Sequence, residues 1–284
     1  MFLPSPLRRT YAAALRDLGS AKAAVRASAA ADLLSVGTDT PRASADALAP
    51  LLDDRDASVR TAALTTLGAL DARHLLDAIA ARLDDAESTV RQMAAVALSD
   101  LGGERALDAL RTALRHRHDD VRYQALLGVV RAAPREGFAE ALTVLDDADP
   151  WIASEGAEQL GYLLDPQRDP ALDLSPAERE RALDALRRAS DDRDPARLRV
   201  AVLADIARVR AGDDGAIATV TSFARGTLTI PGKDSSELRL DAIDALGSVR
   251  HHADARAALE RLARSVLPTP ARAHARLALG EGAQ

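Results

Sequence analysis

The chain has 284 residues, no cysteine, 37 Lys and Arg against 43 Asp and Glu, and a net charge of −6. Without a thiol there is no disulfide framework, thiolate zinc site or cysteine nucleophile. The acidic balance, with lysine only at positions 22 and 233, argues against a general nucleic-acid binder. Hydrophobic residues make up 47% of the chain but aromatics only 2%, so the interior must be Ala, Leu and Val packed at close range. Strong helix formers dominate, β-branched runs are scarce, and Gly and Pro fall between apolar segments, so the fold class is all-α.

At the N-terminus, the apolar stretch Tyr11–Leu15 is cut short by Arg16-Asp17. No secretory or transmembrane segment follows, and the expected localisation is cytoplasmic, with no membrane partner. From there the sequence repeats itself. Val25-Arg26, Val59-Arg60, Val90-Arg91, Val121-Arg122, Ile152-Ala153, Leu198-Arg199, Leu238-Arg239 and Ala271-Arg272 align, with spacings of 34, 31, 31, 31, 46, 40 and 33. Four residues after each anchor stands a small or short residue (Ala29, Ala63, Ala94, Ala125, Gly156, Val202, Ala242, Ala275), and eight after it Leu33, Leu67, Leu98, Val129, Leu160, Ile206, Leu246 or Leu279. These offsets share one helical face, narrow at its middle so that a neighbouring backbone can approach.

Ahead of each such helix comes another periodic segment ending in an acidic turn, as in ASADALAPLLDDRD, HLLDAIAARLDDAE and ALDALRTALRHRHDD. The turn places Asp or Glu at the next helix's N-terminus, where free N–H groups and the dipole favour it. Ser175-Pro176-Ala177-Glu178 reads as a capping box and Thr269-Pro270 as a second helix start. The whole chain, 1–284, therefore predicts one solenoid of about eight helical pairs with a period of about 31 residues, interrupted by insertions at 162–175 and 226–236.

The stretch LLDDRDASVRTAALTTLGAL at 51–70 resembles the HEAT repeats of the short bacterial type named after phycobilisome lyase subunits, and the likeness extends over nearly the whole chain. It implies a right-handed α-solenoid of helical hairpins. It also implies that the repeated arginines, Arg26, Arg60, Arg91, Arg122, Arg199, Arg239 and Arg272, form a structural ladder with acidic turn residues of neighbouring repeats. It says little about function, because the family serves scaffolds, inhibitors, chromophore lyases, a hydroxylase and DNA-repair proteins. The hydroxylase holds di-iron through His-Glu dipeptides, and this sequence contains none.

A second stripe lies roughly 130° around each anchored helix, on the side that lines the concave face in the family. It is bland and mildly apolar in the early repeats, with Ala62, Thr65, Met93 and Val96, passes through Gln124, Leu127 and Arg131 in repeat four, and carries Ala201, Ala204 and Arg208 in repeat six. In repeat five it becomes Trp151, Glu155, Glu158 and Tyr162, with Tyr123 on a neighbouring part of the same side. Aromatic anchors beside carboxylates suit protein recognition, with the charges selecting a basic partner. Repeat five also replaces the ladder arginine by Ala153, which would leave acids such as Asp120, Asp147 or Asp149 open to a partner's Arg or Lys. The alternative is that Trp151 fills the space above Ala153 and Gly156 as core.

Catalytic and cofactor signatures are missing. His116-Arg117-His118 and His251-His252 fall in charged turns without a second ligand set, and no GxGxxG, GxxxxGK[ST] or GxSxG motif occurs. The expected function is a non-enzymatic scaffold or adaptor without cofactor. The alternatives are a chromophore lyase-like subunit, by resemblance, or nucleic-acid binding through Arg111, Arg115, Arg117, Arg122, Arg131 and Arg135 of repeat four.

Overall fold

A computed structural model describes residues 9–167, 172–192, 194–228, 235–264 and 269–280. Part of each expected insertion, 168–171 and 229–234, lies outside the described residues. Within them there are sixteen α-helices and no strand. The chain divides into two compact units, residues 1–133 and 134–284.

The first unit holds α1 (Tyr11–Asp17), α2 (Ala23–Val36), α3 (Pro41–Leu48), α4 (Ala57–Ala69), α5 (Leu76–Ala80), α6 (Ser88–Leu101), α7 (Gly103–Ala113) and α8 (Asp119–Ala132). The anchored helices α2, α4, α6 and α8 pack in succession, and the odd-numbered helices pack against them. Their shared stripe is sealed: Val59, Ala63 and Leu67 in α4, Val90, Ala94 and Leu98 in α6, and Val121, Ala125 and Val129 in α8 are each 0% exposed. In α2 the anchor Val25 is half-buried. The first helix of the second pair is short because Pro50 lacks an amide hydrogen, and the chain continues from α3 as a 3-10 turn, Ala49–Asp53.

Arginines stitch these pairs together. Arg26 grips Asp54 with Nε to Oδ2 and Nη2 to Oδ1, both 2.7 Å. Arg60 does the same to Asp85 at 2.8 and 2.7 Å. Each guanidinium also donates to a main-chain carbonyl six residues back: Arg26 to Ser20, Arg60 to Asp54, Arg91 to Asp85 and Arg122 to His116. One side chain thus fastens its own turn and the next. Arg26 beside Asp54 holds that carboxyl below its ordinary range. At the third step the turn position that is Asp54 and Asp85 earlier is His116, and Arg91 instead takes Asp120, at 3.1 and 3.2 Å. Asp120 is therefore already neutralised within the chain, contrary to the expectation that it awaits a partner.

The second unit holds α9 (Pro134–Val144), α10 (Pro150–Leu164), α11 (Pro176–Ser190), α12 (Leu198–Arg210), α13 (Ile217–Ala224), α14 (Ser235–Ser248), α15 (Ala253–Ala263) and α16 (Pro270–Leu279). Here α10, α12, α14 and α16 pack in succession. The capping box at Ser175 forms in full, and Glu178 also pairs with Arg135. Thr269 caps α16. Helix α10 runs on through Tyr162 to Leu164, so the first insertion starts later than 162, and α14 takes in residues 235 and 236. Helix α12 is enclosed on nearly every side: Ala201 is 7% and Ala204 0% exposed, so the stripe expected at the surface there is buried. Arg208 binds inward, to Asp205 at 2.7 Å and Asp213 at 3.0 Å.

Candidate protein-binding surface on the second unit

The fifth repeat's missing arginine has a local cause. Asp149 caps α10 by accepting the Trp151 amide at 2.8 Å, and Pro150 occupies the first turn, where no amide hydrogen is needed. From that start Ala153 is 0% exposed, in space closed to a long cation. Two glycines let α10 sink between its neighbours. A Cβ on Gly156 would lie 3.0 Å from the Ala141 carbonyl oxygen of α9, and one on Gly161 would lie 3.1 Å from the Ala207 Cα of α12.

The lost linkage is made from the other direction by Arg197, which sequence periodicity had passed over. It donates to the carbonyls of Leu145 at 2.7 Å and Asp147 at 3.1 Å, and pairs with Asp192 at 3.1 Å. Asp147 accepts the Asp149 amide, and Asp149 is the helix cap, so these acids too have internal work.

Trp151 is 48% exposed, and the Arg199 guanidinium carbon lies 4.4 Å from its ring centroid. The Arg199 Nε donates to the Ser154 hydroxyl at 3.2 Å. This arginine, expected in the ladder, therefore covers repeat five's tryptophan, a cation–π contact worth about 1 kcal/mol at a partly exposed site. The two readings of Trp151 combine, since Arg199 lies over its ring while about half of the residue stays exposed. Glu155 departs from expectation. It is 8% exposed and accepts from the Gln159 amide at 2.7 Å. Burial, aided by Glu158, pushes its carboxyl up to about 7 against the pull of Gln159 and Arg199. Glu158 is half-buried and raised, first by burial and then by Asp241. Asp241 is raised by its own burial, with Asp244 and Glu237 adding to it against the nearby Arg210.

Tyr162 is 49% exposed at the far end of α10, three turns from Trp151. Tyr123 and Leu127 lie half-buried on α8, in the first unit. Of the remaining ladder candidates, Arg239 lies against Gly226, where a Cβ would come within 3.2 Å of its guanidinium, and its Nε is buried without a hydrogen-bond partner among the described residues. Arg272 sits in the first turn of α16 with its amide capped by Thr269. In the basic cluster of repeat four, Arg111, Arg117, Arg131 and Arg135 each pair with a carboxylate. Among the described residues no three His, Cys, Asp or Glu side chains converge on a metal-sized site, and no helix is long and apolar enough to cross a membrane.

The family model of HEAT repeats matches residues 45–130, from α3 to α8. These residues are similar to HEAT repeats. Over 95% of this chain and 39% of the other, the fold is similar to a chain in the structure of Kap95p with RanGDP, at 14% identity and a TM-score of 0.52. It is also similar to the complex of CpcE and CpcF of phycocyanin lyase from Nostoc sp. PCC7120, at 16% identity over 99% of this chain and 98% of that one, with a TM-score of 0.47. No curated protein matches in sequence. The shared property is a helical-repeat fold.

Proposed function

We propose that the chain is a non-enzymatic protein-binding scaffold whose second unit docks a partner segment bearing Arg or Lys along α10. The observation that carries this is the pairing of Trp151 and Tyr162: both rings stand about half exposed on one helix, with Glu155 and Glu158 between them. Large exposed rings give anchoring area at low entropic cost. The carboxylates give the selection. Glu155, Glu158 and Asp241 are all raised, first by burial, which favours the neutral form, and then by Glu158, Asp241 and Asp244 in turn, so that their charges once ionised are in excess of the nearby Arg199 and Arg210. An incoming cation would relieve that excess, whereas an acidic segment would add to it. Tyr123 and Leu127 are left out of this surface. Nucleic acid is disfavoured because most of the repeat-four arginines already hold carboxylates.

The test is binding of the full chain to arrays of basic, neutral and acidic peptides, repeated with Trp151→Ala and with Glu158→Arg. Basic peptides are expected to be preferred, and each variant to lose about tenfold in affinity, the equivalent of about 1.4 kcal/mol. Equal binding of basic and acidic peptides, or no loss in either variant, would refute the proposal.

A further inference from the structure

Beyond the exposed rings, α10 leads into a cavity of roughly 420 Å³ whose lining includes Tyr162, Asp165, Arg210, Asp244, Gly247 and Arg250. Its position in the fold sets its charge. Tyr162 and Asp165 lie at the C-terminal end of α10, Arg210 is the last residue of α12, Gly247 is next to last in α14, and Ala278, also in the lining, is next to last in α16. Because successive anchored helices run in the same sense, four helix C-termini meet at one opening. Each brings carbonyl oxygens without helical partners and the negative end of its dipole.

Two carboxylates reinforce this field. Asp244 is exposed and makes no ion pair or hydrogen bond among the described residues. Asp165 accepts the Gln167 amide at 2.8 Å and has no cation partner among the described residues. The two arginines of the lining already have internal partners. Arg210 reaches Asp241 at 3.7 Å, and Arg250 donates to the Ala278 carbonyl at 3.5 Å. The Gln167 side-chain amide, donating to the Ser248 carbonyl at 3.2 Å, likewise supplies a polar hydrogen to a helix end. The chain thus partly answers its own negative opening: Asp165, Asp244 and Asp241 stand against Arg210 and Arg250, and Asp165 and Asp244 make no ion pair among the described residues.

We propose that this cavity is a receptor pocket for one arginine side chain of the partner segment, with Tyr162 as the stacking wall and Asp165 and Asp244 as the acceptors. A planar guanidinium stacks on a phenol ring and donates from several edges at once, which an ammonium cannot do, so arginine is selected over lysine. The volume falls within the range of pockets that enclose a small ligand. The inference rests on the reading of α10 as the dock for a basic partner and names where that partner's arginine goes.

The probes are N-acetyl-arginine amide, N-acetyl-lysine amide and N-acetyl-glutamate, titrated into the isotope-labelled full chain and followed by amide resonances. The arginine probe is expected to move the Tyr162, Gly247 and Ser248 amides, with the lysine probe binding several-fold more weakly. Asp244→Asn, at an exposed position that makes no ion pair or hydrogen bond among the described residues, should weaken the arginine probe about tenfold, and Asp165→Asn should act in the same direction. Trp151→Ala should leave the probe's binding unchanged while weakening long basic peptides. Absence of shifts at these amides, or preferential binding of N-acetyl-glutamate at Arg210 and Arg250, would overturn the pocket. If basic peptides still bound through Trp151 in that case, the docking face would stand without it. If the probe bound but peptides ignored Trp151, the reverse would hold.

Discussion

Glu155→Gln isolates the cost of enclosing a carboxylate on α10. The folded-state value of about 7, against an ordinary 4.5, is set first by burial. A carboxyl raised on folding contributes its full share of stability below about 4.5 and loses it as pH rises through about 7. At roughly 1.4 kcal/mol per unit, the ionised group costs the folded second unit about 3 kcal/mol above pH 8. Gln keeps the oxygen that accepts from Gln159 and removes the charge, while Arg199 loses one attractive neighbour, so the net gain is about 2 kcal/mol. Urea unfolding of wild type and variant at about pH 5 and about pH 8.5, read by fluorescence of the single tryptophan, Trp151, gives the comparison directly. The variant is expected to match wild type at the lower pH and to exceed it at the higher. A variant that is less stable at the higher pH, or shifted equally at both, would show that burial does not set this carboxyl's state.

Arg60→Ala removes both the bidentate hold on Asp85 and the donor to Asp54, in a pair whose side chains are only 11% and 7% exposed, and is expected to cost about 3 kcal/mol in chemical denaturation. Arg105→Ala, in a pair that is 68% and 85% exposed, should change stability by less than about 0.5 kcal/mol. Gly156→Ala pushes a methyl group against the α9 backbone, with contacts of 3.0, 3.1 and 3.2 Å, and should lower stability by about 2 kcal/mol despite the better helix propensity of alanine.

Periodicity carried the fold because packing enforces it. Positions such as Val59, Ala63 and Leu67 must be small or aliphatic at fixed offsets for one helix to lie against the next, and the same demand recurs in every pair. The candidate surface was harder to read where packing is not periodic. Glu155 falls on a stripe that a lone helix would expose, and it is buried in a unit where α10 and α12 approach closely at Gly161, packing that only three-dimensional contacts reveal. Arg199 holds the repeat's register but sits on α12, an enclosed helix of its unit, and lies over the Trp151 ring. Arg197 left a faint sign, an arginine five residues after Asp192, displaced from the register of the other copies. The partner choice of Arg91 depended on His116 standing where an acid was expected, a substitution plain in the sequence whose effect was not.

The stitching arginines also give the first unit a mechanical character. Arg26, Arg60 and Arg91 reach acids only 28, 25 and 29 residues ahead, so each tie joins one helical pair to the next and none skips over a neighbour. Load applied along such a series passes through every tie alike, as in links of a chain, and the weakest opens first. Each link that opens releases a helix pair's length of slack while the pairs beyond it stay folded, so the unit can lengthen in steps and close again from any pair still intact.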